Sequence, residues 1–188
     1  MRKSNRKGGS NEREMYRLWS LWWSAGVGID PPRDDVFFYR TSGLGKSTYG
    51  GRGDMMALDP VGEPLVKVCT FKFKCGYNQD LDLFAVLDSR QKEPLLLSFI
   101  HQIEREVEET KNEPVLVIHR DRHLPIIVLH REFFGELSCW CSLDAACLPR
   151  LTVVTEREVY VMLRLQWFFD CVSVNYFLQK SGCFEEED

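Results

Sequence analysis

Two short segments of this chain carry side chains that together suit phosphodiester hydrolysis. Asp54 follows Gly53 at the end of a Gly/Ser-rich segment, and Lys72 and Lys74 flank Phe73 in an apolar stretch further on. A carboxylate can bind a cation that offsets charge on a phosphate and supplies hydroxide, and a lysine can orient the attacking water. Because Mg²⁺ usually takes one or two carboxylates, Asp54 alone is a weak ligand set.

The same residues also have a simpler interpretation. Lys72 and Lys74 alternate with phenylalanines, which is typical of a strand with one face in solvent. Glu12 and Glu14 lie near the predicted start of the first helix, where the helix dipole favours acidic side chains. Taken singly, these motifs leave a chemical and a structural role open.

Hydrophobic spacing predicts the elements that must position these residues. The predicted helices cover residues 11–24, 95–110 and 156–169. The predicted strands cover residues 36–40, 54–58, 65–74, 115–119, 126–130 and 151–155. Residues 59–64 predict a hairpin turn, and residues 120–123 predict a polar turn.

This order of elements predicts an α/β fold, with one mixed sheet flanked by helices. A length of 188 residues suits a single domain with a sizeable core. We expect residues 1–10 to form a flexible basic arm and residues 11–188 to form one domain. Its core reaches about residue 130, and residues 131–188 are a C-terminal extension.

Composition narrows the cellular context. No apolar run reaches the roughly 18 residues that a membrane span needs, and no apolar segment follows the basic N-terminus as in a secretory signal. Seven cysteines without framework spacing predict reduced thiols in a cytoplasmic protein. Cys139, Cys141 and Cys147 raise the alternative of zinc, but their spacing matches no standard zinc motif and favours unliganded thiols.

Positive charge is concentrated in two segments, although the formal net charge is -4. Residues 1–17 carry six Lys/Arg against two Glu, and residues 40–74 carry six Lys/Arg against three acids. These segments also hold the candidate site residues. Taken alone, the charge pattern favours an exposed arm and loop whose Lys and Arg are only solvated, and contact with a nucleic-acid backbone is the alternative.

The order of the motifs resembles the PD-(D/E)xK nuclease superfamily, and within it the archaeal-type Holliday-junction resolvases and related phage-encoded nucleases. The resemblance covers about residues 7–120. It is carried by Lys7-Gly8 with Glu12-Arg13-Glu14, by Tyr39-Arg40-Thr41-Ser42-Gly43, by Gly53-Asp54 and by Lys72-Phe73-Lys74. Gln102, on the next predicted helix, resembles a polar residue often found there.

The resemblance implies a restriction-endonuclease-like fold and metal-dependent cleavage of DNA, including branched DNA, by a homodimer. It implies that Mg²⁺ or Mn²⁺ is bound by Asp54, by Glu12 through water and by the backbone carbonyl of Phe73. Lys74 would orient the attacking water. The expected DNA contacts are basic and hydroxyl side chains of the Gly/Ser-rich loop, namely Arg40, Ser42, Lys46 and Arg52.

Lys72 is the position at which this chain departs from the resemblance, which implies a second metal-binding carboxylate there. At about 4 Å and an effective dielectric constant of 20, one like charge costs roughly 4 kcal/mol, and a dication would cost more. Either another acid replaces the missing carboxylate (Glu63, Asp59 or Glu12), or catalysis is lost while DNA binding is retained, or Lys72 is an isolated substitution. The alternative function is therefore a catalytically inactive DNA-binding or assembly protein on the same fold.

Two further motifs match known sites only in part. Residues 43–48 read Gly-Leu-Gly-Lys-Ser-Thr but lack the first glycine of a phosphate-binding loop, and the glycines that follow preclude a helix. Residues 119–121 read His-Arg-Asp, as in a kinase catalytic loop, but no other kinase motif accompanies them. They are expected to turn a hairpin, with a phosphate contact as the alternative. The tryptophans at 19, 22 and 23 are expected in the core or a dimer face rather than as base-stacking platforms.

Overall fold

The computed structural model describes residues 5–39, 53–76, 94–141 and 148–182. The described helices are α1 (Asn5–Gly26), α2 (Glu63–Val68), α3 (Leu95–Val107), α4 (Arg131–Ser138), α5 (Leu165–Cys171) and α6 (Asn175–Lys180). The described strands are β1 (Phe37–Tyr39), β2 (Met55–Ala57), β3 (Cys69–Cys75), β4 (Glu113–His119), β5 (Ile126–His130), β6 (Leu151–Val154) and β7 (Val159–Arg164). None of the described helices has the length and apolarity needed to cross a membrane.

Five strands form one mixed sheet in the order β3-β4-β5-β7-β6. β3 and β4 are parallel, and the other neighbours are antiparallel. A parallel pair needs a crossover connection, and α3 lies in the crossover between β3 and β4. β1 and β2 form a separate antiparallel pair. The predicted mixed α/β sheet is confirmed, although the first two predicted strands lie outside it.

Successive side chains of the strands enter two apolar layers, because a strand alternates its faces. One layer contains α1 and the odd-numbered residues of the central strands, such as Val115, Val117, Ile127 and Leu129. The other layer contains α3 and even-numbered residues, such as Leu116, Ile118 and Val128. The sheet therefore separates α1 from α3, and the two faces of β3 meet different helices.

Aromatic side chains hold α1 against the sheet. Trp19 and Trp23 are fully buried, and the Trp19 ring lies 4.8 Å from the Phe71 ring. The indole of Trp23 donates to the carbonyl of Val61 at 2.7 Å. The expectation that these tryptophans belong to the core is confirmed, and their burial excludes Trp19 and Trp23 as base-stacking platforms.

The predictions for residues 59–74 are wrong in part. Residues 60–62 form a 3₁₀ turn instead of a hairpin, and the side chain of Asp59 caps it by accepting from the amide of Val61. Residues 65–68, predicted as strand, belong to α2. Pro64 stands in the first turn of α2, where the missing amide proton costs nothing. β3 therefore begins at Cys69 rather than at Leu65.

The predicted helix over residues 156–169 is also wrong. Its first part is β7, which pairs with both β5 and β6, and only its second part is helical. Residues 131–182 consequently supply two of the five strands, so the predicted C-terminal extension shares the core of the domain. At the other end of the chain, α1 begins at Asn5, inside the segment predicted as a flexible arm.

Candidate functional site

β3 directs its lysines toward α3 and its phenylalanines toward α1. Phe73 packs at 5.1 Å against the ring of Tyr16 on α1. Lys72 and Lys74, which alternate with the phenylalanines, both contact side chains of α3. Only 13% of the Lys72 side chain is exposed. The interpretation of Lys72 as a solvent-facing lysine is therefore wrong.

The backbone at Gly53 passes close to the backbone of β3, and this places Asp54 over that strand. Gly53 has φ +83°, and a Cβ there would collide with the carbonyl oxygen of Phe71. The amide of Asp54 donates to that same oxygen at 2.8 Å. The Oδ2 atom of Asp54 accepts from the amide of Phe73 at 2.9 Å. These contacts fix the Asp54 carboxylate beside the side chain of Lys72.

Lys72 bridges two carboxylates. Its Nζ lies 3.2 Å from Oδ1 of Asp54 and 2.7 Å from Oε1 of Glu106 on α3. Burial lowers the pKa of Lys72, but the hydrogen bond to Glu106 and the negative charge of Asp54 outweigh burial, so the net pKa is raised. Lys72 is consequently a firmly charged ammonium between two acids.

Lys74 has a different environment on the same face. Its Nζ donates to Oε1 of Gln102 at 2.6 Å and lies 4.7 Å from the centre of the Phe99 ring. Burial lowers the pKa of Lys74, and the positive charge of Lys72 lowers it further. A positioned lysine with a lowered pKa can exchange a proton more readily than an ordinary surface lysine.

The negative charge of Asp54 affects the pKa values of Glu12 and Cys75. Burial raises the pKa of Glu12, and the charge of Asp54 adds to that rise. Burial also raises the pKa of the Cys75 thiol to about 12, with further contributions from Glu12, Asp54 and Asp121. Because the thiolate is the reactive form, Cys75 is inert near neutral pH. α1 thus brings Glu12 to the same end of β3 as Asp54.

The sequence suggested three acids as replacements for the missing carboxylate. Asp59 instead pairs with Arg33, which lies between α1 and β1, and Glu63 pairs with Lys67 one helical turn away. Glu12 is the candidate of the three whose pKa responds to Asp54. The acid that approaches position 72 most directly is Glu106, which the sequence interpretation missed.

Glu106 could have been found from the pattern of α3. Gln102 and Glu106 are one turn apart, and the amide of Gln102 donates to Oε1 of Glu106 at 3.4 Å. Both flank the buried stripe that contains Phe99 and Ile103. Polar residues at the border of such a stripe lie beside the strand that the helix covers. The spacing within α3 does not predict the register of this helix against β3.

The residues present do not fit a divalent cation. In the described part of the chain, no group of three or more His, Cys, Asp or Glu side chains could hold a metal ion. An ammonium instead lies between Asp54 and Glu106, where a dication bound by both carboxylates would meet strong repulsion. A metal would require Lys72 to move or to be replaced.

Several predicted residues lie outside the described ranges. They are the expected DNA contacts Arg40, Ser42, Lys46 and Arg52, together with residues 43–48 of the partial phosphate-binding motif. Cys147 of the zinc alternative also lies outside, while Cys139 and Cys141 are free thiols. The predicted site residues that the structure brings together are Asp54, Lys72, Lys74, Glu12 and Gln102.

No protein-family model, curated protein or solved structure matched this chain. The resemblance to PD-(D/E)xK nucleases therefore stays a prediction from the sequence.

Proposed function

We propose that this protein acts on DNA as an endonuclease of the PD-(D/E)xK type, resembling Holliday-junction resolvases, and that Lys72 impairs it. The observation that carries the proposal is the convergence of Asp54, position 72 and Lys74 beside one strand. Three residues chosen from sequence for one chemistry lie within reach of one another, and this favours a shared role over three separate structural roles.

The order of the elements supports the same proposal. Along the chain, the helix that carries Glu12 precedes two short strands, β3 with its lysines, α3 and the parallel β4, as the resemblance implies, and α2 is inserted before β3. Asp54 directly precedes β2, and position 72 lies near the middle of β3. We therefore propose a restriction-endonuclease-like fold for this domain.

The proposed roles follow from the contacts of each side chain. Lys74, held by Gln102, orients the attacking water. Asp54 is the carboxylate that would hold Mg²⁺ or Mn²⁺ in a form of the site without the Lys72 ammonium. Such an ion supplies charge neutralisation and hydroxide when bound. We also propose that the protein is an intracellular homodimer with reduced cysteines, as the resemblance and the cysteine spacing imply.

A second candidate is a catalytically inactive DNA-binding or assembly protein on the same fold. The observation that favours it is the Lys72 ammonium, which bonds both Asp54 and Glu106. In that case the ion bridge stabilises the fold, and DNA binding does not depend on a metal.

Cleavage assays with a matched set of variants separate the two candidates. The substrates are a four-way DNA junction and a linear duplex, each with Mg²⁺ or Mn²⁺. The variants are Lys72→Glu, Lys72→Glu combined with Asp54→Asn, and Lys67→Glu as a control for charge reversal at an exposed lysine. We expect the parent chain and the Lys67 control to cleave slowly, Lys72→Glu to cleave faster, and the double variant to be inert.

The opposite outcome is equally specific. If Lys72→Glu folds as a dimer and still cleaves neither substrate, the endonuclease proposal fails. Metal-independent binding of the junction by both the parent chain and the inert variant would then support the second candidate.

A further inference from the structure

An open basic cleft of about 450 Å³ lies beyond the candidate site, at the end of β4. Its lining includes Ile118, Ile126, His123 and the arginines at 120, 122 and 164. We propose that this cleft binds a backbone phosphate of a polynucleotide whose strand continues to Lys74. The inference rests on the proposed function, because it assigns the cleft to the same DNA substrate.

The sheet register connects the cleft to the candidate site. Lys74 pairs with Ile118, Ile118 with Ile126, and Ile126 with Arg164. Paired residues of neighbouring strands lie on the same face of a sheet, so these four form a row across β3, β4, β5 and β7. With about 4.8 Å between strands, the row spans roughly 14 Å. It has a cation at each end and two isoleucines between them.

The charge of the cleft suits an anion. None of the described residues that line it is acidic. Asp121, in the same turn as Arg122, acts on Cys75 of β3. Burial is the largest cause of the raised pKa of the Cys75 thiol, and the negative charge of Asp121 contributes to it. The guanidinium of Arg164 lies 4.9 Å from the Trp167 ring, which holds it without neutralising its charge. Guanidinium groups offer paired donors that match phosphate oxygens.

The length of the row favours a polynucleotide over a small anion. A duplex advances about 3.4 Å per nucleotide along its axis and its strands also wind around that axis, so roughly 14 Å corresponds to at most about four nucleotides. A phosphate near Lys74 and another in the cleft can therefore belong to one strand. Ile118 is buried in the layer that contains α3, and Ile126 packs against that layer, so neither side chain would contact an intervening phosphate.

Salt-dependent binding tests the inference without any cleavage. The probe is a fluorescein-labelled four-way DNA junction, followed by anisotropy in EDTA over a series of salt concentrations. Arg122→Gln and Arg164→Gln remove charge from the cleft, and Arg164→Lys retains it. Arg157→Gln is the matched control, because Arg157 is an exposed arginine just before the opposite end of β7.

We expect each glutamine variant of the cleft to reduce the slope of log K against log salt by about 0.9. Affinity at 100 mM salt should fall by about three- to tenfold. Arg164→Lys and Arg157→Gln should keep the slope of the parent chain. Circular dichroism melts check that every variant is folded.

Two outcomes overturn the inference in different ways. If the parent chain binds the junction and the Arg122 and Arg164 variants keep its slope, the cleft is not a phosphate site, while the proposed function stands. If the parent chain does not bind DNA, the proposed function fails as well. Thermal stabilisation of that parent by pyrophosphate, lost in Arg164→Gln, would then assign the cleft to a free phosphate compound instead of a polynucleotide.

Discussion

Replacing Lys72 with methionine removes the ammonium that separates Asp54 from Glu106 while keeping a side chain of similar length. The two carboxylate oxygens lie 3.2 and 2.7 Å from the same nitrogen atom. They are therefore at most about 6 Å apart, and in the variant they face each other without a cation between them. The structural consequence is a pair of like charges in a partly covered site.

The size of the effect follows from that distance. Two like charges at 5–6 Å repel by about 3 kcal/mol at an effective dielectric constant of 20. The side chains of Asp54 and Glu106 are 18% and 30% exposed, so solvent and salt screen part of this repulsion. We expect Lys72→Met to lower the free energy of unfolding by about 2–3 kcal/mol at pH 7.

Denaturant unfolding at several pH values measures this loss, with Lys67→Met as the control. Lys67 pairs with Glu63 on an exposed helical surface, where such a pair contributes about 0.5 kcal/mol or less. In Lys72→Met, protonation of either carboxylate removes a like-charge repulsion that only the folded state holds at short distance. The stability deficit should therefore shrink as the pH falls from 7 toward 5.

Divalent cations give a second readout of the same variant. Two uncompensated carboxylates bind a cation that the unfolded chain does not, so millimolar Mn²⁺ should raise the melting temperature of Lys72→Met and not that of the parent. If Lys72→Met loses no more stability than Lys67→Met and shows the same pH dependence as the parent chain, Lys72 does not offset repulsion between Asp54 and Glu106.

Three further predictions concern the surroundings of the site. Gly53→Ala should lower the free energy of unfolding by about 1–3 kcal/mol. The loss should exceed that of Gly28→Ala, because both positions have positive φ but only a Cβ at position 53 would collide with backbone. Denaturant unfolding of both variants measures the difference. Glu12→Gln should raise the melting temperature at pH 7, and this gain should vanish below the ordinary glutamate pKa, because burial and Asp54 raise the Glu12 pKa and penalise its charged form. Iodoacetamide at pH 8 should modify exposed Cys139 faster than buried Cys69, whose pKa burial raises, as peptide mass spectrometry would show.

Local periodicity predicted much of the fold. The spacing of the tryptophans on α1 predicted a helix with one buried face, and short apolar runs predicted β4 and β5. The same rule failed for β7, because the run from Val159 to Leu163 is continuously apolar. Periodicity alone cannot distinguish a strand buried on both faces from a buried helix. Only the pairing of β7 with β5 and β6 decides between them.

α2 was missed for a related reason. Val66 and Val68 are β-branched and favour a strand by propensity, but tertiary packing overrides that preference. Leu65 and Val66 are buried in α2 against the core. Pro64 was the better indicator, since proline suits the first turn of a helix.

Some residues of the candidate site could be predicted from the sequence, whereas one was found only from the structure. Asp54, Lys72 and Lys74 lie close to one another in the chain, and their chemistry made them recognisable. Glu106 lies 34 residues after Lys72, on a helix whose register against β3 no local pattern sets. The ion bridge that decides how the site behaves is therefore a tertiary property.

The most direct measurement is a crystal structure of Lys72→Glu grown with Mn²⁺, with the ion located by anomalous scattering. We expect an anomalous peak for Mn²⁺ about 2.1 Å from an oxygen of Asp54 and from the carboxylate at position 72. The same crystals of the Asp54→Asn double variant should lose that peak. A folded Lys72→Glu protein with no manganese at Asp54, or with manganese bound elsewhere, would contradict the claim that these residues form a nuclease site impaired by Lys72.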